Sequence, residues 1–190
     1  MSMIVTESSA KSPLAAGSLA GKRAVVLAGT GPVGQRAAAL LASEGAAVAI
    51  TGRKLDVVQA AAQAIKSRFG AEIRPIAAAS PADRGQAVDG AHIVLATGAA
   101  GITLLEAAQW QSSPTLELVA DANASPPAGI EGVSMADRGT QSHGKILFGP
   151  LGFGALKLAL HRACIGRLFE QNDLVLDAEQ IYAQAKSMLG

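Results

Sequence analysis

The sequence predicts an α/β fold, one domain built on a doubly wound, parallel, six-stranded sheet. Three observations carry that expectation. Short apolar runs alternate with amphipathic stretches from Lys22 onward, the pattern of a sheet covered by helices on both faces. Most of the runs are apolar throughout, as strands buried on both faces require. The length, 190 residues, suits one domain and would cramp two.

The elements follow in order. Residues 1–21 are rich in Ser, Ala and Gly with weak periodicity, and read as a flexible tail or lead-in helix ahead of a domain over 22–190. Strands are expected at 24–28, 47–51, 72–76, 92–96, 116–120 and 145–148. In the first helix Val33, Ala37, Leu40 and Leu41 share a face. In the second Leu55, Val58, Ala62, Ile65 and Phe69 do so. Weaker helical patterns cover 81–88 and 103–110, and a long one runs from about 154 to 169. Asp177 can cap a last helix with Gln180 three residues on. Ala178, Ile181, Tyr182, Ala185 and Met188 then face inward. The longest irregular stretch, 123–144, carries Pro126-Pro127, and long loops in compact domains are often functional.

Composition excludes several classes. Hydrophobic residues make up 49%, enough for a substantial core. A net charge of +1 and 3% aromatic residues suggest neither a nucleic-acid partner nor an anionic membrane surface. Cys164 is the sole cysteine, so no intrachain disulfide and no CxxC pair exist, and its apolar helical setting reads as core filling. No run approaches the ~18 apolar residues of a membrane helix. No basic segment precedes an apolar signal core, and a cytoplasmic location is the expectation. His92, His143 and His161 lack metal-site spacing, so no metal is expected. No serine sits in a G-x-S-x-G elbow.

The chemistry starts at Gly29-Thr30-Gly31-Pro32-Val33-Gly34. This G-x-G-x-x-G follows an apolar strand and opens a helix, the setting that gives the pattern weight. Gly29 allows the tight turn, Gly31 lets a pyrophosphate approach the backbone, and Gly34 lets helix and strand pack closely. The amides of the helix start then face the phosphates, and Pro32 is tolerated there. The reading is a Rossmann-like dinucleotide site. An acid generally follows the second strand of such a site to hold the adenosine ribose. Here the place reads Thr51-Gly52-Arg53-Lys54. Cations are mildly unfavourable at a helix start, and Arg can stack on adenine while hydrogen-bonding a phosphate. The pair favours NADP over NAD.

Other candidates sit at the carboxyl ends of later strands. Thr97-Gly98-Ala99 is small enough to let a nicotinamide ribose lie close, unless it is a plain loop. Asp121 and Asn123 either line the nicotinamide end or form a structural Asx turn. Lys157, early in the long helix, either faces the cleft or is a surface lysine. Asp121 and Lys157 are the weak catalytic candidates. Tyr182 and Lys186 match the Y-x-x-x-K spacing of short-chain dehydrogenases but lie far beyond the place expected for it, and read as coincidence.

The chain resembles the NADP-dependent methylenetetrahydromethanopterin dehydrogenases of methylotrophic bacteria. The resemblance is carried by "GKRAVVLAGTGPVGQRAAALLASEGAAV", "GRKLD", "GAHIVLATGAAGITLL", "VADANASPPAGIEG", "FGALKLALHRACIGRLFE" and "DAEQIYAQAK". It implies NADP on Gly29–Gly34 and Arg53-Lys54. It also implies hydride transfer from the methylene bridge of a reduced pterin one-carbon carrier to nicotinamide. Such a transfer asks little of acid–base groups, because the pterin nitrogens stabilise the cation that forms, and the protein chiefly aligns two rings. The family carries a separate N-terminal substrate domain that residues 1–21 cannot replace. The expectation is therefore a cofactor half that works with a separate substrate-domain partner or as a homo-oligomer. The alternatives are a free-standing NADP(H)-binding module or truncated family member, and a small NADP-dependent reductase of another substrate.

Overall fold

The computed structural model describes residues 19–171 and 173–189. The expected tail at 1–18 lies outside them. Residues 19–21 form a turn, with the Leu19 amide donating to the Glu44 carbonyl at 2.6 Å and the Leu19 side chain packed on the core.

Among the described residues the chain runs β1 (Arg23–Leu27), α1 (Pro32–Ser43), β2 (Ala47–Gly52), α2 (Leu55–Phe69), β3 (Ile73–Ala77), α3 (Pro81–Val88) and β4 (Ile93–Ala96). It continues with β5 (Leu118–Asp121), β6 (Arg138–Ser142), β7 (Lys145–Phe148), α4 (Gly154–Leu168) and α5 (Ala178–Leu189). The strands form one sheet in the order β3-β2-β1-β4-β5-β7-β6. All six expected strands are present, within two residues at each end. The sheet has seven strands rather than six, because β6 pairs antiparallel with β7. β6 reads Arg-Gly-Thr-Gln-Ser and lies at the sheet edge, where polar residues face water and no apolar run is needed.

Alternate residues of the parallel strands feed two cores. Ala24, Val26, Val48 and Ile50 pack with α1 and α2 on one face. Val25, Leu27, Val94 and Val119 pack on the other face with Val88 of α3, Leu105, Trp110, Ile130 and Val133. α2 buries Val58, Ala62 and Ile65, but leaves Leu55 exposed at its first turn. α3 begins with a reciprocal cap between Ser80 and Asp83.

Three further expectations fail. The buried face of α1 is Gly34, Ala38 and Ala39, while Val33 is 63% exposed. Small residues face the sheet because helix and strand approach closely there, and the bulkier ones turn away. Residues 103–110 form no α-helix, only a single 3₁₀ turn at Ala107–Gln109. Leu105 bridges to Ile130 as a strand would, and Trp110 is fully buried with its Nε1–H donating to the Glu131 carbonyl at 2.9 Å. Burying those two side chains fixes the segment in an extended path. The stretch 123–144 is correspondingly not irregular throughout. It contains β6 and supplies Ile130 and Val133 to the core.

α5 is fastened to the end of α1 by one carboxylate oxygen. Asp177 and Gln180 cap its start as the sequence predicts, the Asp177 amide donating to Gln180 Oε1 and Asp177 Oδ1 accepting from the amides of Glu179 and Gln180. Glu44 Oε1 then accepts from the Tyr182 hydroxyl and from Lys186 Nζ, each at 2.8 Å. The Lys186 and Tyr182 hydrogen bonds hold the Glu44 carboxyl below the usual carboxylate range. Burial, then the Glu44 hydrogen bond and charge, push the Tyr182 hydroxyl up to about 12. A depressed carboxyl pKa adds stability above its unfolded value and loses it as pH falls through the folded value. A raised tyrosine pKa acts in the other sense, and its contribution is lost as pH rises through about 12. The melting temperature should therefore fall as acid protonates Glu44. In Glu44→Gln that acid slope should be shallower, measured by circular dichroism melts across the carboxylate range. A slope unchanged by the substitution would remove Glu44 from the account.

Candidate functional site

The turn between β1 and α1 is gripped from both neighbouring strands. Ala28 sits at φ 52°, an unusual conformation for a residue with a side chain. Its amide donates to Thr51 Oγ1 at 3.0 Å, and the next amide, of Gly29, donates to the Thr51 carbonyl at 2.9 Å. Thr51 is 1% exposed. From the other side the Thr97 hydroxyl lies 3.1 Å from the Leu27 carbonyl and 3.3 Å from that of Ala28.

The three glycines of the turn have different reasons to be glycine. A Cβ on Gly29 would lie 2.9 Å from Ile50 Cβ. One on Gly34 would lie 2.5 Å from Gly29 Cα and 2.7 Å from Thr97 Oγ1. One on Gly31 would meet nothing within 4 Å. Packing explains the first and third glycines. The second faces open space, where a missing side chain matters only to something that arrives. Pro32 opens α1, Gly31 is its N-cap, and no side chain caps it. The first-turn amides thus keep their capacity to bind an anion. Thr30 is held by Gln35, whose side-chain amide donates to its carbonyl at 2.7 Å.

The second corner adjoins the first. Gly52 approaches so near that a Cβ on it would lie 2.9 Å from the Thr30 methyl. Arg53 and Lys54 follow, both exposed, at the start of α2, which also has no side-chain cap. Among the described residues neither side chain forms an ion pair or hydrogen bond. Two cations therefore stand beside an uncapped helix start without a polar partner among the described residues.

The later loops divide. Thr97 is committed to the turn, and Gly98 is in close contact with Leu104, where a Cβ would lie 2.7 Å from Cδ1. Ala99 is exposed beside them. Asp121 is 1% exposed, and its two oxygens accept from the amides of Asn123 at 2.9 Å and Ile130 at 3.1 Å. Asn123 is 7% exposed, accepts from the Ser125 amide at 3.1 Å and donates to the Pro127 carbonyl at 3.2 Å. Both side chains clamp the loop around the cis Pro126-Pro127 bond, so the Asx-turn alternative describes them. Neither aims a free polar group into a cleft. Lys157 is exposed on α4. Tyr182 and Lys186 converge on Glu44 and not on the glycine turn.

Sequence reasoning missed the role of Thr51. It stands with Gly52 near the place where an acid is usual, and its hydroxyl faces inward to hold the turn. The available signal was a threonine closing an apolar strand. Two cavities, of about 440 and 650 Å³, open at the amino-terminal side of the sheet, one beside Arg23, Ile73 and Asp89, the other beside Arg36, Phe69 and Tyr182. Neither lies at the carboxyl edge, where the glycine turn is. No group of His, Cys, Asp and Glu suited to a metal occurs among the described residues, and none of the described helices is long and apolar enough to cross a membrane.

No protein-family model matches the chain. It is 55% identical over 174 residues to the "bifunctional protein MdtA" of Methylorubrum extorquens, covering 92% of this chain and 60% of that one. It is 32% identical over 176 residues to the NAD(P)-dependent methylenetetrahydromethanopterin dehydrogenase of the same organism, covering 90% and 59%. The chain is a homologue of both. It spans about 60% of the length of these relatives. The crystal structure of a transhydrogenase from Sinorhizobium meliloti superposes with a TM-score of 0.55 at 21% identity, over 90% of this chain and 43% of that one, and the shared fold is Rossmann-like.

The glycines yield a prediction about stability alone. Gly34→Ala should cost about 3 kcal/mol, the upper end for overpacking, since the new methyl meets backbone. Gly31→Ala should cost under about 1 kcal/mol, the loss of a favoured cap residue. Urea unfolding of the two variants checks the contrast, and equal losses would refute the packing account.

Proposed function

We propose that residues 22–190 form an NADP(H)-binding domain with the cofactor laid along the carboxyl edge of the sheet. Its pyrophosphate would rest on Gly29, Thr30, Gly31, Pro32, Val33 and Gly34, and its 2′-phosphate between Arg53 and Lys54. The observation that carries this reading is the empty approach to Gly31 in front of an uncapped α1. A helix start of this kind offers backbone amides and a positive dipole end to an anion. Arg53 and Lys54 are exposed and unpaired among the described residues, so a phosphate would meet no competing partner there. A carboxylate near 51 and 52, where a ribose acceptor is usual, would repel that phosphate, and the place is taken by Gly52 and by Thr51, which is spent on the turn. Thr97, Gly98 and Ala99 would border the nicotinamide ribose, with the loop clamped by Asp121 and Asn123 behind them.

The activity we propose is hydride transfer between a one-carbon unit on a reduced pterin and NADP. Its support is the 32% identity to a protein named for methylenetetrahydromethanopterin. The cofactor, when bound, supplies the hydride acceptor. The residues of this chain would hold its phosphates and fix the ring position, which is most of what such a transfer requires. A second reading is a binding module that acts only with another polypeptide. It is favoured by the committed state of Asp121 and Asn123, whose side-chain oxygens all hold the loop.

NADPH should bind much more tightly than NADH in a fluorescence titration. Arg53→Ala should weaken NADPH by ~1.5–3 kcal/mol, the size of a hydrogen bond to a charged group, and leave NADH little changed. Equal affinities for the two cofactors in the unsubstituted chain would sink the assignment. Turnover of methylenetetrahydromethanopterin with NADP, with and without a substrate-domain polypeptide, separates enzyme from binding module.

A further inference from the structure

α4 is apolar on two sides. Leu160, Ala163, Cys164 and Arg167, at helical spacing, form its more buried side, where Arg167 meets Gln184 of α5. Across the helix stand Leu158, Arg162, Ile165 and Phe169, also at helical spacing. Leu158 is 52%, Ile165 43% and Phe169 87% exposed. Large apolar side chains exposed together on one helix face mark an interaction site, and here they flank Arg162. α4 begins six residues after β7, whose carboxyl end lies at the same edge of the sheet as the glycine turn.

Charge selects the occupant. α4 carries Lys157, His161, Arg162 and Arg167 and no acidic residue. Arg167 is turned to the buried side, so the charge at the outer face is that of Lys157 and Arg162, and two copies laid face to face would oppose these cations with no acid on the helix to balance them. The relatives extend well beyond the region shared with this chain, which spans 60% and 59% of them. We infer that the outer face of α4 seats an acidic, apolar polypeptide surface on a domain of the kind those relatives hold outside the shared region. The inference rests on the proposed function in one respect, that the docked domain would supply the second wall of the cofactor site. Leu158, Ile165 and Phe169 would provide the apolar anchor, and Lys157 and Arg162 the charge that orients it.

The test uses the full chain. The probe is the portion of the 55%-identical Methylorubrum protein outside the shared region, expressed separately and shown to be folded by circular dichroism. Hydrogen–deuterium exchange of the α4 amides is read at low and high chain concentration, with and without the probe. Exchange should be fast in the free chain at both concentrations and at least about tenfold slower with the probe. Added salt should reduce that protection. Ile165→Glu should abolish it, and Arg162→Glu should weaken probe binding by about tenfold. Arg162→Glu changes only an exposed charge and so stands independently of any folding defect in Ile165→Glu. Three results would overturn the inference: no protection by the probe, protection that appears only at high chain concentration, or protection of the free chain that is lost when residues 1–18 are removed. The second result would make the occupant another copy, and the third would make it the chain's own beginning. An NADPH titration of the same samples keeps the two proposals apart. Loss of cofactor binding with α4 protection intact would leave this inference standing and remove the proposed function.

Discussion

The left-handed backbone at Ala28 is the point on which the rest depends. A residue with a side chain holds that conformation only when its surroundings enforce it. Two threonines do so, Thr51 from β2 and Thr97 from the end of β4. The turn is therefore fixed by the strands on either side of β1, and the strand order is part of the site. With the turn fixed, Gly34 can lie against Gly29, α1 can rest on small side chains, and the first-turn amides come to face the open carboxyl edge.

Much of this was legible in the sequence, for physical reasons that differ by element. The parallel strands are buried on both faces, so their apolar runs stand out. β6 lies at the edge with a polar sequence and leaves no such mark. The helix pattern at 103–110 came from residues that do become buried, Leu105 and Trp110. Periodicity alone did not say that they reach the core from an extended path rather than from a helix face. On α1 the misjudged face has a related cause. Hydrophobicity gives no weight to glycine, yet Gly34 makes the closest approach of the helix.

The site was legible to a similar degree. The glycine motif and the paired cations were found from spacing and from the absence of an acid. Asp121 and Asn123 offered two readings, and the geometry favours the structural one, because every side-chain oxygen already accepts an amide hydrogen. Thr51 went unnoticed because a hydroxyl that caps a turn and a hydroxyl in a buried strand look identical in a sequence. The Tyr182–Lys186 spacing had no bearing on chemistry, but it is not idle, since both groups fasten α5 through Glu44.

The division of labour between Thr51 and its neighbours bears on how such a site could change its cofactor. Thr51 is buried and its hydroxyl accepts from the Ala28 amide, whereas Arg53 and Lys54 are exposed and form no hydrogen bond or ion pair among the described residues. An acid placed at 51 would put a charge into a dry position and disturb the grip on the turn. On the proposed reading, a lineage drifting from one dinucleotide to the other would find position 51 closed to it. The open route runs through the exposed pair at the head of α2, where substitutions alter recognition at little cost to folding.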